Sequence, residues 1–187
     1  MKQDKSRIIC IFLRYLLVSF MVLFGSSIFY ILFTQLTVQP VYFFLNFIYG
    51  AMLNGSTILV NNFEIEIVGS CVAASAYLLL LILNFSTPNI KPLKRISLLF
   101  FSFLPFLLIN ILRIILFSVL LVNQFQFFDL VHQIFWYGLS TLFVVAIWFL
   151  LVKINKIKDI PFYSDLKFLL NFSKASKSKS KKVRLKD

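Results

Sequence analysis

A single histidine (His132), two cysteines (Cys10 and Cys71) and an arginine inside an apolar run (Arg113) carry what chemistry this sequence suggests. An ionisable residue within a membrane-depth segment marks function by default. Counting from Arg95 places Arg113 roughly 27 Å along a helix, beyond reach of the end where that helix starts. Asn110 lies three residues earlier and shares its face. Counting back from Lys153 places His132 roughly 31 Å away, at the same level as Arg113. Asp129 is a candidate N-cap of the last helix, with His132 in its first turn. Cys71 follows Gly69-Ser70; with Ser70 as N-cap the thiol sits at a helix start, where the dipole favours thiolate. A thiol, an imidazole and a guanidinium supply nucleophile, base and charge stabiliser for acyl transfer. Each residue taken alone also has a plainer role. Arg113 can snorkel to the interface, His132 can be a structural hydrogen-bonder, and Cys10 is a packing thiol. Cys10 and Cys71 fall on opposite faces and cannot pair. One His and two opposed Cys cannot build a metal site, and no cofactor motif is present.

The elements that position these residues follow from composition. Of 187 residues, 60% are hydrophobic and 14% charged, with 24 Phe; soluble domains average about half apolar and about a quarter charged. Several apolar runs exceed the roughly 18 residues that mark a membrane-spanning helix. A soluble globular domain, a disulfide-rich secreted module and a disordered chain are excluded. The expected class is an all-α polytopic integral membrane protein of about four to five transmembrane helices. Residues 1–160 form the membrane domain, and residues 161–187 a basic cytoplasmic tail, disordered toward its end. The net charge of +12 comes largely from that tail, whose Ser/Lys run suits anionic lipid heads at about 1 kcal/mol per basic residue. No nucleic-acid partner is expected.

Charge placement sets the expected topology. Lysine and arginine mark the cytoplasmic side, and three basic clusters occur: Lys2, Lys5 and Arg7; Lys91, Lys94 and Arg95; and the segment from Lys153. An even number of crossings must separate each pair. Ile8–Phe33 and Cys71–Phe85 supply the first two, Ile96–Leu121 and His132–Val152 the second two. The first helix exits near Thr34. Val41–Leu53 is short for a crossing and would break the parity, so an outer interfacial or re-entrant helix is expected there. Thr57–Val60 and Phe63–Val68, joined by Asn61-Asn62, read as a β-hairpin with a tight turn. A hairpin cannot lie exposed in lipid, so it and Glu64 and Glu66 belong to the outer aqueous layer. Both termini are expected inside and the site outside, at the plasma membrane.

The Cys…Arg…His order in a small multispanning chain resembles the exosortase/archaeosortase family of membrane cysteine transpeptidases, in a short, minimal form. The residues that carry the resemblance are FEIEIVGSCVAAS at 63–75, Asn-Ile-Leu-Arg at 110–113, and His132 opening the final helix. It covers roughly residues 55–152. It implies a substrate class: exported proteins with a C-terminal sorting signal made of a short motif, one transmembrane helix and a basic cluster. Cys71 would form a thioester, His132 would carry the proton, and Arg113 would stabilise the oxyanion or orient the substrate. An outer nucleophile, a lipid amine among the candidates, would resolve the acyl-enzyme. Two other classes remain open: a non-catalytic substrate-binding subunit of a small-solute transporter, and a structural scaffold. Cys71→Ala separates the first from catalysis, and Arg113→Ala the second.

Overall fold

The computed structural model describes residues 2–88, 90–135, 138, 140–157 and 162–172. The basic run from Ser173 lies outside them. Ten elements follow in order: α1 (Lys2–Tyr49), β1 (Met52–Asn54), β2 (Thr57–Val60), β3 (Phe63–Glu66), α2 (Gly69–Val72), α3 (Ala74–Ser86), α4 (Pro92–Val122), α5 (Phe128–Ile134) and α6 (Ser140–Ile154), then α7 over 163–172. The chain is mostly helical with one small antiparallel sheet. Two helices, Arg7–Tyr49 and Pro92–Val122, are long and apolar enough to cross a membrane. The helical segments at the other two expected crossings are shorter, 13 residues in α3 and 15 in α6.

α1 corrects the expectation of a separate outer helix at Val41–Leu53. It runs 48 residues without a break, through Pro40, and spans about 70 Å at 1.5 Å per residue. Proline removes one helical hydrogen bond, yet the packing periodicity does not change across it. Phe29, Phe33, Thr37, Val41 and Leu45 recur every fourth residue and are all buried. That stripe keeps the helix packed, turn after turn, past the expected exit near Thr34. The helix ends at Gly50, whose φ of +67° is the left-handed conformation that closes helices; its N–H returns to Asn46 O at 2.9 Å.

The expected hairpin has a third strand. β1 pairs antiparallel with β2, and β2 with β3, in the order β1-β2-β3. Asn61 takes positive φ at the second turn, as its residue type foretold. Ile58, Val60 and Ile67 are almost fully buried in one core with Val38, Val41 and Leu45 of α1. The sheet is thus seated on the far end of that helix.

At the opposite end, side chains bind the helix termini together. The last carbonyls of a helix have no intrahelical partners. Arg95, at the start of α4, donates to Asn84 O, Phe85 O and Thr87 O at 2.7, 3.0 and 3.1 Å, closing the end of α3. Lys94 donates to Asn155 O at 2.9 Å, just past α6. Arg14 of α1 pairs with Asp165 of α7, and Tyr15 donates to the same carboxylate at 2.9 Å. Asp165 is only 2% exposed. Residues 163–172, expected as part of a tail, are therefore a helix docked on α1.

Candidate active site

The site is built on a break in the chain. The expected helix over Cys71–Phe85 is interrupted: α2 is a single turn, Ala73 adopts φ 58° and ψ 41°, and α3 starts afresh at Ala74. A left-handed alanine costs about 1–2 kcal/mol, so something must hold it there. The break strands the carbonyl of Val72, because Ala76, its ordinary helical donor, turns to Ala73 O at 2.9 Å instead. α4 supplies the partners. Asn110 Nδ2 donates to Cys71 O at 2.9 Å and Val72 O at 3.3 Å, and Arg113 Nη2 donates to Cys71 O at 3.2 Å. Asn110 is 2% exposed. It belongs to a stripe of α4 that is buried at every fourth residue, from Leu98 through Ser102, Phe106, Asn110 and Ile114 to Ser118. The shared face of Asn110 and Arg113 is therefore the face against the Cys71 segment.

His132 reaches the same place from α5. Its ring stacks on Phe128 one turn earlier (5.6 Å, 11°) and meets Phe117 of α4 edge-on (5.1 Å, 84°). Phe117 also packs edge-on against Phe135 (5.2 Å). Phe117 is one turn past Arg113, so a single face of α4 orients both the guanidinium and the imidazole.

Cys71, Arg113 and His132 border one cavity of about 660 Å³. Its walls come from β3, α2, α3, α4, α5 and α6. The three residues singled out by type are thus brought together from three helices. Beneath them, Tyr77 is fully buried and stacked on Phe33 (3.8 Å, 16°), with Phe103 and Phe106 edge-on at 5.5 and 4.9 Å. This aromatic floor fixes α1, α3 and α4 against one another.

The supporting residues fare differently. Asn110 is integral, as described. Ser70 borders the cavity, but the capping position belongs to Val68 and no side chain caps the turn. One turn carries little of a macrodipole, so the helix-start argument for a Cys71 thiolate falls away. Asp129 is not a cap either. α5 opens at Phe128 after Phe127, Asp129 is exposed, and it is not among the cavity residues. His132 stands in the last turn of α5, not the first. Cys10 is free and exposed on α1, not packed.

Three residues that border the cavity are ones sequence reasoning did not single out as site residues. Glu64 and Glu66 were expected only as solvated charges. Ser118, 2% exposed, has a hydroxyl with no hydrogen-bond partner among the described residues. Its spacing from Asn110, two steps of four, was the available signal. No family model, curated protein or solved structure matches this chain.

Proposed function

We propose that the chain is a membrane-embedded cysteine peptidase or transpeptidase, of the kind the exosortase/archaeosortase resemblance implies. The observation that carries this reading is the single cavity bordered by Cys71, Arg113 and His132. A cysteine nucleophile needs a base to take its proton and a donor for the developing oxyanion; the cavity holds one of each.

His132 takes the proton from Cys71 Sγ as the thiolate adds to a peptide carbonyl. The carbonyl oxygen becomes an oxyanion and meets the Arg113 guanidinium. Collapse breaks the C–N bond, and the imidazolium returns its proton to the departing amine, leaving a thioester on Cys71. An acceptor amine, or water, then attacks the thioester and restores the thiol. The substrates are exported proteins with a C-terminal sorting signal, and the acceptor is an amine at the membrane surface.

The proposed topology has four crossings, by α1, α3, α4 and α6. It is supported by the clustering of Arg14, Lys94 and Arg95 at one end of the bundle and of the sheet and cavity at the other. The outward face of α4 is apolar at every fourth residue, with Ile96, Phe100, Leu104, Leu108, Leu112 and Leu116 exposed. Such continuous apolar surface is rare on soluble monomers. Both termini are then cytoplasmic and the cavity opens outside.

The cavity volume also lies within the range typical of small-ligand pockets, roughly 300–1,000 Å³, which favours the transporter-subunit alternative. One experiment separates the two. An exported protein ending in an apolar helix and a Lys/Arg cluster is co-expressed with the wild-type chain or with Cys71→Ala. Loss of processing with the variant still in the membrane supports catalysis. Processing that survives Cys71→Ala removes it.

A further inference from the structure

The edge of β3 carries information about the substrate. β3 is the terminal strand of its sheet, so one edge has no strand beside it among the described residues. The ladder tells which backbone groups point along that edge. Ile67 donates its N–H to Ser56 O at 3.0 Å, and alternate residues of an antiparallel strand aim their N–H and C=O at the same neighbour. Ile65 and Phe63 therefore face β2, opposite Ile58 and Val60. The N–H and C=O groups of Glu64 and Glu66 point the other way.

That other way is the cavity. Glu64, Ile65, Glu66 and Ile67 all border it. Side chains of successive strand residues point to opposite faces, so four in a row can border one space only where the strand lies edge-on to it. The same strand leads directly into Cys71. A second feature points the same way: the buried Ser118 hydroxyl, which borders the cavity, has no hydrogen-bond partner among the described residues.

We infer that β3 is the docking strand for substrate, which binds as an extended peptide added to the edge as a fourth strand, with its scissile carbonyl delivered to Cys71. This rests on the peptidase reading above. The backbone of Glu64 and Glu66 supplies two donors and two acceptors, the means by which sheet edges capture peptides without regard to side chains. Their side chains, exposed on one face, add selectivity. Like charges directly opposite in a sheet are unfavourable and opposite charges favourable. The substrate residues facing them are therefore basic or neutral, not acidic.

The test uses the full chain in detergent with Cys10→Ala and reads Cys71 alkylation by mass spectrometry. The probes are Lys-Thr-Lys-Ala and Glu-Thr-Glu-Ala chloromethyl ketones, each also made with a single N-methyl amide at every position in turn. Expected is faster labelling by the lysine peptide, with N-methylation slowing it about tenfold at one alternating set of amides and little at the other, one net hydrogen bond each time. Glu66→Pro removes an outward N–H without touching the β2 ladder, a position where edge strands accept proline. It should slow peptide labelling similarly while labelling by iodoacetamide is unchanged, whereas Glu66→Gln keeps the alternating pattern. Should Glu66→Pro not fold, the methyl scan on the unaltered strand decides. Peptide rates indifferent to methylation position would overturn the docking strand while leaving the Cys71–His132 pair intact. Failure of the peptidase reading has a different signature: iodoacetamide labelling of Cys71 that does not respond to His132→Ala.

Discussion

Asn110 donates one side-chain amide to the carbonyls of both Cys71 and Val72, at 2.9 and 3.3 Å. It thereby replaces the helical hydrogen bond that Val72 O loses at the break. The position of Cys71 and the helix break are one device, held from α4.

Asn110→Ala should leave Val72 O without its side-chain donor and Cys71 O with Arg113 alone. An unsatisfied buried acceptor costs about 1–3 kcal/mol, so the variant should be destabilised on that scale. Asn110→Asp should be worse, since a carboxylate has no proton to donate and faces two oxygens. Thermal unfolding in detergent ranks the three. A ranking with Asp above Ala would contradict the geometry.

Ala73 makes a sharper test of the break itself. Glycine accepts positive φ freely, whereas a β-branched residue there is a steric outlier. Ala73→Gly should be tolerated within about 1 kcal/mol, because relief of strain is offset by a more flexible unfolded chain. Ala73→Val should collapse stability, or straighten the chain into continuous helix and displace Cys71. Wild-type unfolding and labelling of the Val variant would show that α2 and α3 are continuous.

Much of this was legible in the sequence, and unevenly. Side-chain type alone singled out Cys71, Arg113 and His132, because so few polar groups occur in so apolar a chain. Asn61 announced its turn. The continuation of α1 past Thr34 was hidden because charge parity and the length of one crossing put the helix exit there, while the buried every-fourth-residue stripe that carries it on becomes visible only when the sheet it packs on is known. That same assignment concealed β1, whose Met52 and Leu53 were counted into the helix. Ser70 and Asp129 look like caps by type, yet capping depends on where a helix starts, and both starts lie earlier. The Arg14–Asp165 pair joins residues 151 apart in sequence, a separation over which no local pattern operates.

That pair gives a third prediction. Asp165→Asn keeps an acceptor for Tyr15 but removes the charge beside Arg14, and breaking a buried ion pair by removing one partner costs about 3–5 kcal/mol. α7 should detach more easily, seen as faster proteolysis near residue 162. Replacing Arg14 and Asp165 together with Met and Leu should recover much of the loss. Unchanged proteolysis in Asp165→Asn would mean that α7 is not held by this contact.

The proposed topology predicts labelling from outside. With both native cysteines replaced by Ala, a cysteine at Glu64 should react with an impermeant maleimide in intact cells, and one at Ile90 should not. Ile90 lies between α3 and α4, beside the Arg95 and Lys94 contacts that gather the helix ends. Reaction at 90 without permeabilisation would overturn the four-crossing arrangement.

The last prediction concerns the thiol and the groups that act on it. An unassisted cysteine, with an ordinary pKa of about 8.5, is only a few per cent thiolate near neutral pH. If His132 accepts the Cys71 proton, iodoacetamide should label Cys71 at pH 6 to 7 faster than it labels the same residue in His132→Ala, by about tenfold or more. The advantage should fade toward pH 9, where the bare thiol ionises unaided. Arg113→Lys should reduce substrate processing on the order of 100–1,000-fold, the usual cost of one oxyanion donor. The ammonium has its donors on one nitrogen, whereas the planar guanidinium spreads them over separate nitrogens and can hold Cys71 O with one while another faces the oxyanion. Alkylation should change far less in that variant, because iodoacetamide passes through no oxyanion. Cys10→Ala should be near neutral in both assays: its sulfur lies on the exposed face of α1, near the end where Arg14 meets α7. Were Cys71→Ala active and Cys10→Ala inactive, the cavity would not be the seat of the chemistry.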